Sequence, residues 1–328
     1  MKYRKLGKTG FKISEISIGT WQVGGIWGSK FDHKLAENII RSAIDSGVNF
    51  IDTADVYSAG ESEKAVGKVL KNSTERIYVA TKCGRQINPH MNEGYQISVL
   101  RKYVEDSLQR LNVDCLDLIQ LHCPPTEVYY RPEIFAEFDK LKEEGKILNL
   151  GVSVEKIEEA IKAIEFENVT SIQIIYNMFR QRPHEQLFQL AKEKNVGLII
   201  RVPLASGLLT GKFGTETRFE EEDHRNFNIN GEFFDKGETF AGIPYNIGIK
   251  AVERLKALFP DQQNLAITAL NWILMRKEIS CIIPGASRVD QVGLNVKASE
   301  QMKLTDTQMD EVNNIYDELI KEHVHQKW

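Results

Sequence analysis

Residues 50–57 read FIDTADVY, and the fold turns on how this stretch changes character. Phe50 and Ile51 close an apolar run, and from Asp52 onward acid, hydroxyl, acid and phenol follow within six positions. A buried strand whose carboxyl end opens onto a pocket has this form. Apolar runs of the same kind recur at 15–19, 77–82, 115–122, 147–153, 171–177, 196–203 and 280–286. Between them lie stretches such as Leu35/Ile39/Ala43, Ile97/Leu100/Val104/Leu108/Leu111 and Ile157/Ile161/Ile164, whose spacing puts apolar side chains on one helical face. Strand and helix in alternation, without a cluster of hairpins, predict parallel strands joined by crossover helices. Eight such strands predict an α/β protein of the (β/α)8 TIM-barrel class, in one domain spanning 1–328.

The competing architecture is a doubly wound open sheet, which for a dinucleotide would carry GxGxxG after its first strand. GGIWG at 24–28 has the wrong spacing, and in GLLTGKF at 207–213 the glycines stand too close for a phosphate loop. Three additions to the barrel are expected. KLGKTGFKI, within 2–14, reads as a hairpin covering the barrel bottom. The 204–245 connection after strand seven exceeds an ordinary βα loop and reads as a lid with a mobile middle. Residues 304–320 read as an additional C-terminal helix through Leu304, Val312, Ile315 and Leu319.

Composition narrows the function. A chain of 328 residues with 42% apolar and 27% charged residues has enough apolar material for a substantial core. Its net charge of −4 supplies no overall attraction to nucleic acid or an anionic membrane. The N-terminal MKYRKLGKTGFKIS has no apolar signal core and no run of 18 apolar residues occurs, so a cytoplasmic location is expected. Cys83, Cys115, Cys123 and Cys281 form no CxxC pair, and the seven histidines form no HExxH, so no metal centre is signalled.

In a (β/α)8 barrel the site lies at the carboxyl ends of the strands. There the runs deliver Asp52 and Tyr57, then Lys82, then His122, on three adjacent strands. Singly, each also fits a structural role: a turn cap, a packing aromatic, a solvated strand end, a core histidine. Together they have a chemical use, because an ammonium beside a phenol stabilises phenolate and is expected to lower the tyrosine pKa from its usual value of about 10.

These residues, with IGTW (18–21), ATK (80–82), LIQLH (118–122), GVS (151–153), IQIIYN (172–177), PLASGLLTGK (203–212) and IPGAS (283–287), resemble the motifs of the aldo-keto reductases, in order and over nearly the whole chain. The resemblance implies an oxidoreductase that passes hydride from NADP(H) to the carbonyl of a small aldehyde or ketone. It implies Tyr57 as proton donor, Lys82 and Asp52 as its tuning partners, and His122 as the group orienting the substrate. It implies a cofactor site of Gly19, Thr20 and Trp21 after strand one, Ser153 and Gln173 at the nicotinamide, and Arg201, Pro203, Leu204, Ser206, Gly207, Leu209 and Lys212 along the clamp after strand seven. Gly285, Ser287, Arg288, Gln291 and Asn295 then take the adenosine end, with Ser287 and Arg288 suited to a 2′-phosphate. Trp21, Trp27 and Cys123 are candidates for the pocket wall, together with the loops at 83–95 and 123–130. The chain departs from the commoner pattern at Val154, Arg201 and Leu294, where Asn, an aromatic ring and an acid are usual. Asp55 falls outside the tetrad and reads as turn or pocket-edge structure. The alternative function is a cofactor-binding regulatory protein resembling the channel subunits built on the same fold; a metal-dependent barrel isomerase or hydrolase lacks its ligand clusters.

Overall fold

The computed structural model describes residues 1–25, 30–260 and 264–328; Trp27 lies outside them. The chain opens with an antiparallel hairpin of β1 (Tyr3–Lys5) and β2 (Lys12–Ser14), paired from Tyr3↔Ser14 to Lys5↔Lys12. Eight strands follow: β3 (Ile18–Gly19), β4 (Phe50–Asp52), β5 (Tyr78–Cys83), β6 (Leu116–His122), β7 (Ile147–Ser153), β8 (Val169–Ile175), β9 (Gly197–Arg201) and β10 (Ile279–Ile282). All pair parallel with their sequence neighbours. Parallel bridges Ile16↔Ile282 and Gly19↔Gly285 draw the two edges together, so the ends of the barrel meet at single bridges rather than a long ladder. Gly19 sits in this seam, where a Cβ would lie 3.0 Å from the Ile283 carbonyl oxygen.

Helices α1 (His33–Asp45), α2 (Glu61–Leu70), α3 (Ile97–Leu111), α4 (Pro132–Glu143), α5 (Ile157–Ile164) and α6 (Pro183–Glu193) alternate with β3 to β9. Each buries an apolar stripe; in α3 it is formed by Leu100, Val104 and Leu111, with Ser107 among them. No helix among the described residues is long and apolar enough to cross a membrane.

The pleat explains where the site lies. Phe50, Ala80, Leu118, Ile199 and Cys281 form one apolar layer inside the barrel, capped from below by Leu6, Phe11 and Ile13 of the hairpin. Side chains alternate along a strand, so two residues on, the same inward face carries Asp52, Lys82, Gln120 and Arg201. The floor is dry and the layer above it is polar. Arg4 fixes the hairpin to that floor, donating to the carbonyls of Leu274, Arg276 and Ile279 and pairing with Glu15.

The 204–245 connection after β9 is folded along its length. Short helical turns, among them α7 (His224–Phe227), lead to α8 (Tyr245–Leu258) and α9 (Leu265–Leu274) before β10. Where length alone suggests a mobile middle, Asn228 ties the segment together: its Oδ1 accepts from the amides of Phe233 (2.9 Å) and Phe234 (3.0 Å), and its Nδ2 donates to Thr239 Oγ1 (3.1 Å). The C-terminal part, α10 (Val289–Lys297) then α11 (Asp306–Ile315), does not stop at 320. It passes through a wider π turn, Tyr316–Ile320, into α12 (Lys321–Val324). Trp328 then lies under the lid, its Nε1 donating to Asp235 Oδ1 at 2.8 Å and its ring covered by the Arg180 guanidinium at 4.0 Å.

Candidate active site

The polar layer converges on Lys82. Its Nζ, fully buried, donates to Asp52 Oδ1 (2.5 Å), the Thr53 carbonyl oxygen (2.8 Å) and Tyr57 Oη (3.1 Å). Those three acceptors match the three donors of an ammonium. Asp52 is held from its other side by Gln173 Nε2 (2.7 Å) and Gln120 Nε2 (3.2 Å), both on Oδ2. The His122 ring stands edge to face with Tyr57, centroids 6.0 Å apart, and its buried Nδ1 has no hydrogen-bond partner among the described residues.

Charge sets the protonation states. Burial alone would depress the Lys82 pKa, but Asp52 and Tyr57 outweigh it and hold it above the ordinary lysine value. The expected lowering of the Tyr57 pKa is corrected here: burial raises it, and Lys82 offsets that rise without reversing it. Tyr57 is therefore a phenol at neutral pH, with the ammonium limiting the cost of ionisation. Burial, followed by the charges of Lys82 and Arg85, drives His122 well below its usual value, so the imidazole is neutral.

Backbone strain clusters where these side chains are presented. Ser58 (φ 48°) and Ala59 (φ 53°) follow Tyr57, Cys123 (φ 47°) follows His122, and Val202 (φ 50°) follows Arg201. For a β-branched residue such as Val202 this is a true outlier, the kind that surrounding packing must hold in place. At each of these points the chain turns sharply out of the barrel mouth.

The other sequence-derived residues fall into groups. Ser153 and Gln173 are register partners on β7 and β8, with Ser153 Oγ 3.4 Å from Cys123 Sγ. Thr20 is buried, its hydroxyl accepting from Ser62 Oγ (2.9 Å), while the Trp21 ring meets His224 of the lid, centroids 4.6 Å apart. Arg201 does not present a free guanidinium face: it pairs with Glu155 (2.8 Å), donates to the Val154 carbonyl oxygen (3.1 Å) and reaches Glu238 (3.5 Å). Val154 packs in the apolar core. Pro203 and Leu209 are also buried, Leu209 in the core, whereas Leu204, Ser206 and Gly207 are partly exposed and Lys212 is exposed. Ser206 Oγ donates to the Glu238 carbonyl oxygen (3.0 Å) and accepts from the Phe240 amide (3.1 Å), anchoring the clamp to the lid. At the start of α10, Gln291 Oε1 accepts from the amides of Ser287 (2.7 Å) and Arg288 (3.2 Å), and Asn295 Nδ2 reaches the Gly285 carbonyl oxygen (3.3 Å). Arg288 is exposed and pairs with Asp290 (3.0 Å). Lys212 also acts on the Asp290 carboxyl, so both cations lie at this end.

Four participants escape the sequence reading: Gln120, Glu155, Glu238 and Arg85. Gln120 was discoverable, since it stands two residues before His122 and must share its face. The others belong to separate loops that only the fold brings together. Cys123 Sγ and carboxylate oxygens of Glu155 and Glu238 lie within 4.8 Å of one another, a spacing a cation can bridge, but Arg201 and Arg85 already bring positive charge to those acids.

Comparison with known proteins follows the same lines. The model of the Aldo/keto reductase family matches residues 15–317. The aldo-keto reductase YhdN of Bacillus subtilis (strain 168) is 32% identical over 302 residues, covering 89% of this chain and 87% of its own length. An NADH-specific methylglyoxal reductase of Escherichia coli (strain K12) is 28% identical, covering 91% and 93%. Among solved structures, the aldo-keto reductase AKR11C1 of Bacillus halodurans, in its holo form, superposes with a TM-score of 0.76 at 28% identity, with 96% of each chain covered.

Asp55 is more than an edge residue. It is buried, neither carboxylate oxygen has a partner of good hydrogen-bond geometry among the described residues, and burial, with the Glu63 charge beside it, raises its pKa to about 7 against the weaker opposing pull of Gln86, Arg110 and the Val56 backbone. A carboxyl that holds its proton more tightly when folded contributes stability at low pH and loses it as pH rises from about 4 through 7. Asp55→Asn should therefore leave the melting temperature nearly unchanged at pH 4.5 and raise it at pH 8, with a ceiling of roughly 4 kcal/mol. Thermal scans of both proteins across this range check it; a variant less stable at pH 8 would show that the ionised carboxylate has a stabilising partner.

Proposed function

The chain belongs to the aldo/keto reductase family, and from that premise we propose that it reduces the carbonyl of a small aldehyde or ketone with NADPH, reversibly, using Tyr57 as general acid. One observation carries this reading: Lys82, locked by Asp52, donates to Tyr57 Oη at 3.1 Å. An ammonium donating to the phenol oxygen occupies a lone pair and leaves the O–H free to point into the pocket. Neutral His122 offers an N–H beside it, so two donors converge where a carbonyl oxygen becomes alkoxide-like. As Tyr57 gives up its proton, the phenolate left behind faces Lys82, and the cost of forming it inside the barrel is reduced.

When bound, the nicotinamide supplies the hydride. The donor set suits a dinucleotide. With its amide N–H groups on Asp52 and Gln120, Gln173 keeps its Oε1 as an acceptor for a carboxamide N–H. Ser153 stands beside it on β7. Gly19, Thr20 and Trp21 would wall the ring pocket. Arg201, Pro203, Leu204, Ser206, Gly207, Leu209 and Lys212 would form the clamp, Pro203 and Leu209 through backbone alone. Gly285, Ser287, Gln291 and Asn295 would hold the adenosine end. The hydroxyl of Ser287 and the cations Arg288 and Lys212 support a 2′-phosphate, and hence NADPH over NADH. The Escherichia coli relative, described as NADH-specific, makes this the choice most in need of testing.

Tyr57→Phe removes only the hydroxyl. Turnover of a good aldehyde should fall by about 10²–10⁴-fold while the cofactor dissociation constant, read by fluorescence titration, stays nearly the same. A wild-type rate when hydride transfer is limiting would remove Tyr57 from the chemistry. Arg288→Ala should weaken NADPH by roughly 10-fold or more, the worth of a charge-assisted contact, and NADH little. Equal weakening of both would place the phosphate elsewhere.

A further inference from the structure

One cation at the barrel mouth touches none of the reacting groups just described and acts on them only through its charge at His122. Arg85, in the loop after β5, lines a cavity of about 610 Å³ built from the loops after β5, β6 and β7 and from lid residues 233–235. Its side chain is only 21% exposed, yet among the described residues its sole polar partners are Glu155 at 3.9 Å and Glu238 at 3.8 Å. Both distances are beyond hydrogen-bond reach. Arg201 holds Glu155 at 2.8 Å and reaches Glu238 at 3.5 Å through their Oε2 atoms, so each acid has a nearer cation than Arg85, which faces their Oε1 atoms. No Arg85 nitrogen is sealed from solvent without a partner, so its donors face the cavity and stay available to an acceptor that enters it.

The charge balance runs the same way. Burial and the neighbouring Glu155 push Glu238 up to about 8, whereas Arg201 overcomes burial to hold Glu155 below the usual range. Two guanidinium groups thus face a pair of acids of which one, Glu238, holds its proton more tightly than a free carboxylate. The other acids of the cavity are engaged: Glu159 accepts from Thr126 Oγ1 (2.7 Å) and the Lys156 amide (3.0 Å), Asp235 from the Gly237 amide (2.7 Å) and Trp328 Nε1 (2.8 Å). Burial raises the pKa of both. Cys123, also in the cavity wall, directly follows His122, so the cavity adjoins the place where a carbonyl would be reduced.

We propose that Arg85 anchors an anionic group, a carboxylate or a phosphate, carried by the carbonyl substrate whose reacting end lies at Tyr57 and His122. The proposal rests on the reductase reading for the identity of that other end. The planar fork of Arg85 matches two oxygens of either anion.

Matched pairs test it: succinic semialdehyde against butanal for a carboxylate, and glyceraldehyde 3-phosphate against glyceraldehyde for a phosphate, with NADPH in excess. In at least one pair the charged aldehyde should have a kcat/KM about 10-fold or more higher, chiefly through KM. Arg85→Gln should bring that ratio close to one, and Arg85→Lys should keep part of it. The pair that shows the preference identifies the anion. A wild-type ratio of one or less in both pairs, or a ratio unchanged in Arg85→Gln, overturns the anchor. Calorimetric titration with 4-hydroxybutanoate and glycerol 3-phosphate, against 1,4-butanediol and glycerol, reads binding without turnover. Preferential anion binding lost in Arg85→Gln supports the anchor even if no aldehyde is reduced, and failure would then fall on the reductase reading alone. Indifference to charge in the titration rejects the anchor and leaves that reading standing.

Discussion

The ion pair between Lys82 and Asp52 is the constraint around which the barrel interior is arranged. Both side chains are essentially withdrawn from solvent, and two charges placed there cost several kcal/mol each in lost hydration before their mutual attraction is counted. The surroundings answer that cost group by group. Lys82 finds three acceptors and Asp52 is held by two amides as well as the ammonium. A buried pair of this kind is a poor way to stabilise a fold, since well-packed apolar residues of similar volume often do as well or better. On the function proposed above, its third contact, to the Tyr57 hydroxyl, accounts for its presence.

The rest of the molecule serves that contact. The hairpin closes the barrel floor with Leu6, Phe11 and Ile13, so an apolar layer lies beneath the polar one. Left-handed residues follow Tyr57, His122 and Arg201, so the backbone is strained in the loops after β4, β6 and β9. The lid is tied by Ser206, Asn228 and Trp328 to the clamp, to itself and to the C-terminal segment. Arg201 and Glu155 connect β9 to the loop after β7. Ion pairs at the rim thus add to the ring contacts of Trp21 with the lid.

The fold was readable because barrel strands announce themselves twice, by an apolar run and by the polar residue that ends it. FIDTADVY, ATK and LIQLH each name both a strand and its contribution to the site. Period-two alternation would also have delivered Gln120. The rim was not readable, because Arg85, Glu155 and Glu238 stand in three loops far apart in sequence, and no local pattern records that they meet. The same limit explains Arg201, read as a clamp residue standing where an aromatic ring is usual and found paired with Glu155. It explains the Tyr57 pKa as well: sequence placed Lys82 beside the phenol, but the depth of burial, which outweighs the ammonium, is a property of the assembled barrel.

If the pair exists for the phenol, removing both charges together should separate folding from chemistry. The direct measurement is the turnover of the double variant Asp52→Asn/Lys82→Met, normalised to folded protein and compared with wild type on one aldehyde under hydride-limited conditions. With no unpaired buried charge left, the account predicts a folded protein whose turnover is at least about 100-fold lower. Turnover within a few-fold of wild type in the folded double variant would contradict it, and would make the Lys82–Asp52 pair a structural feature with no hold on the proton.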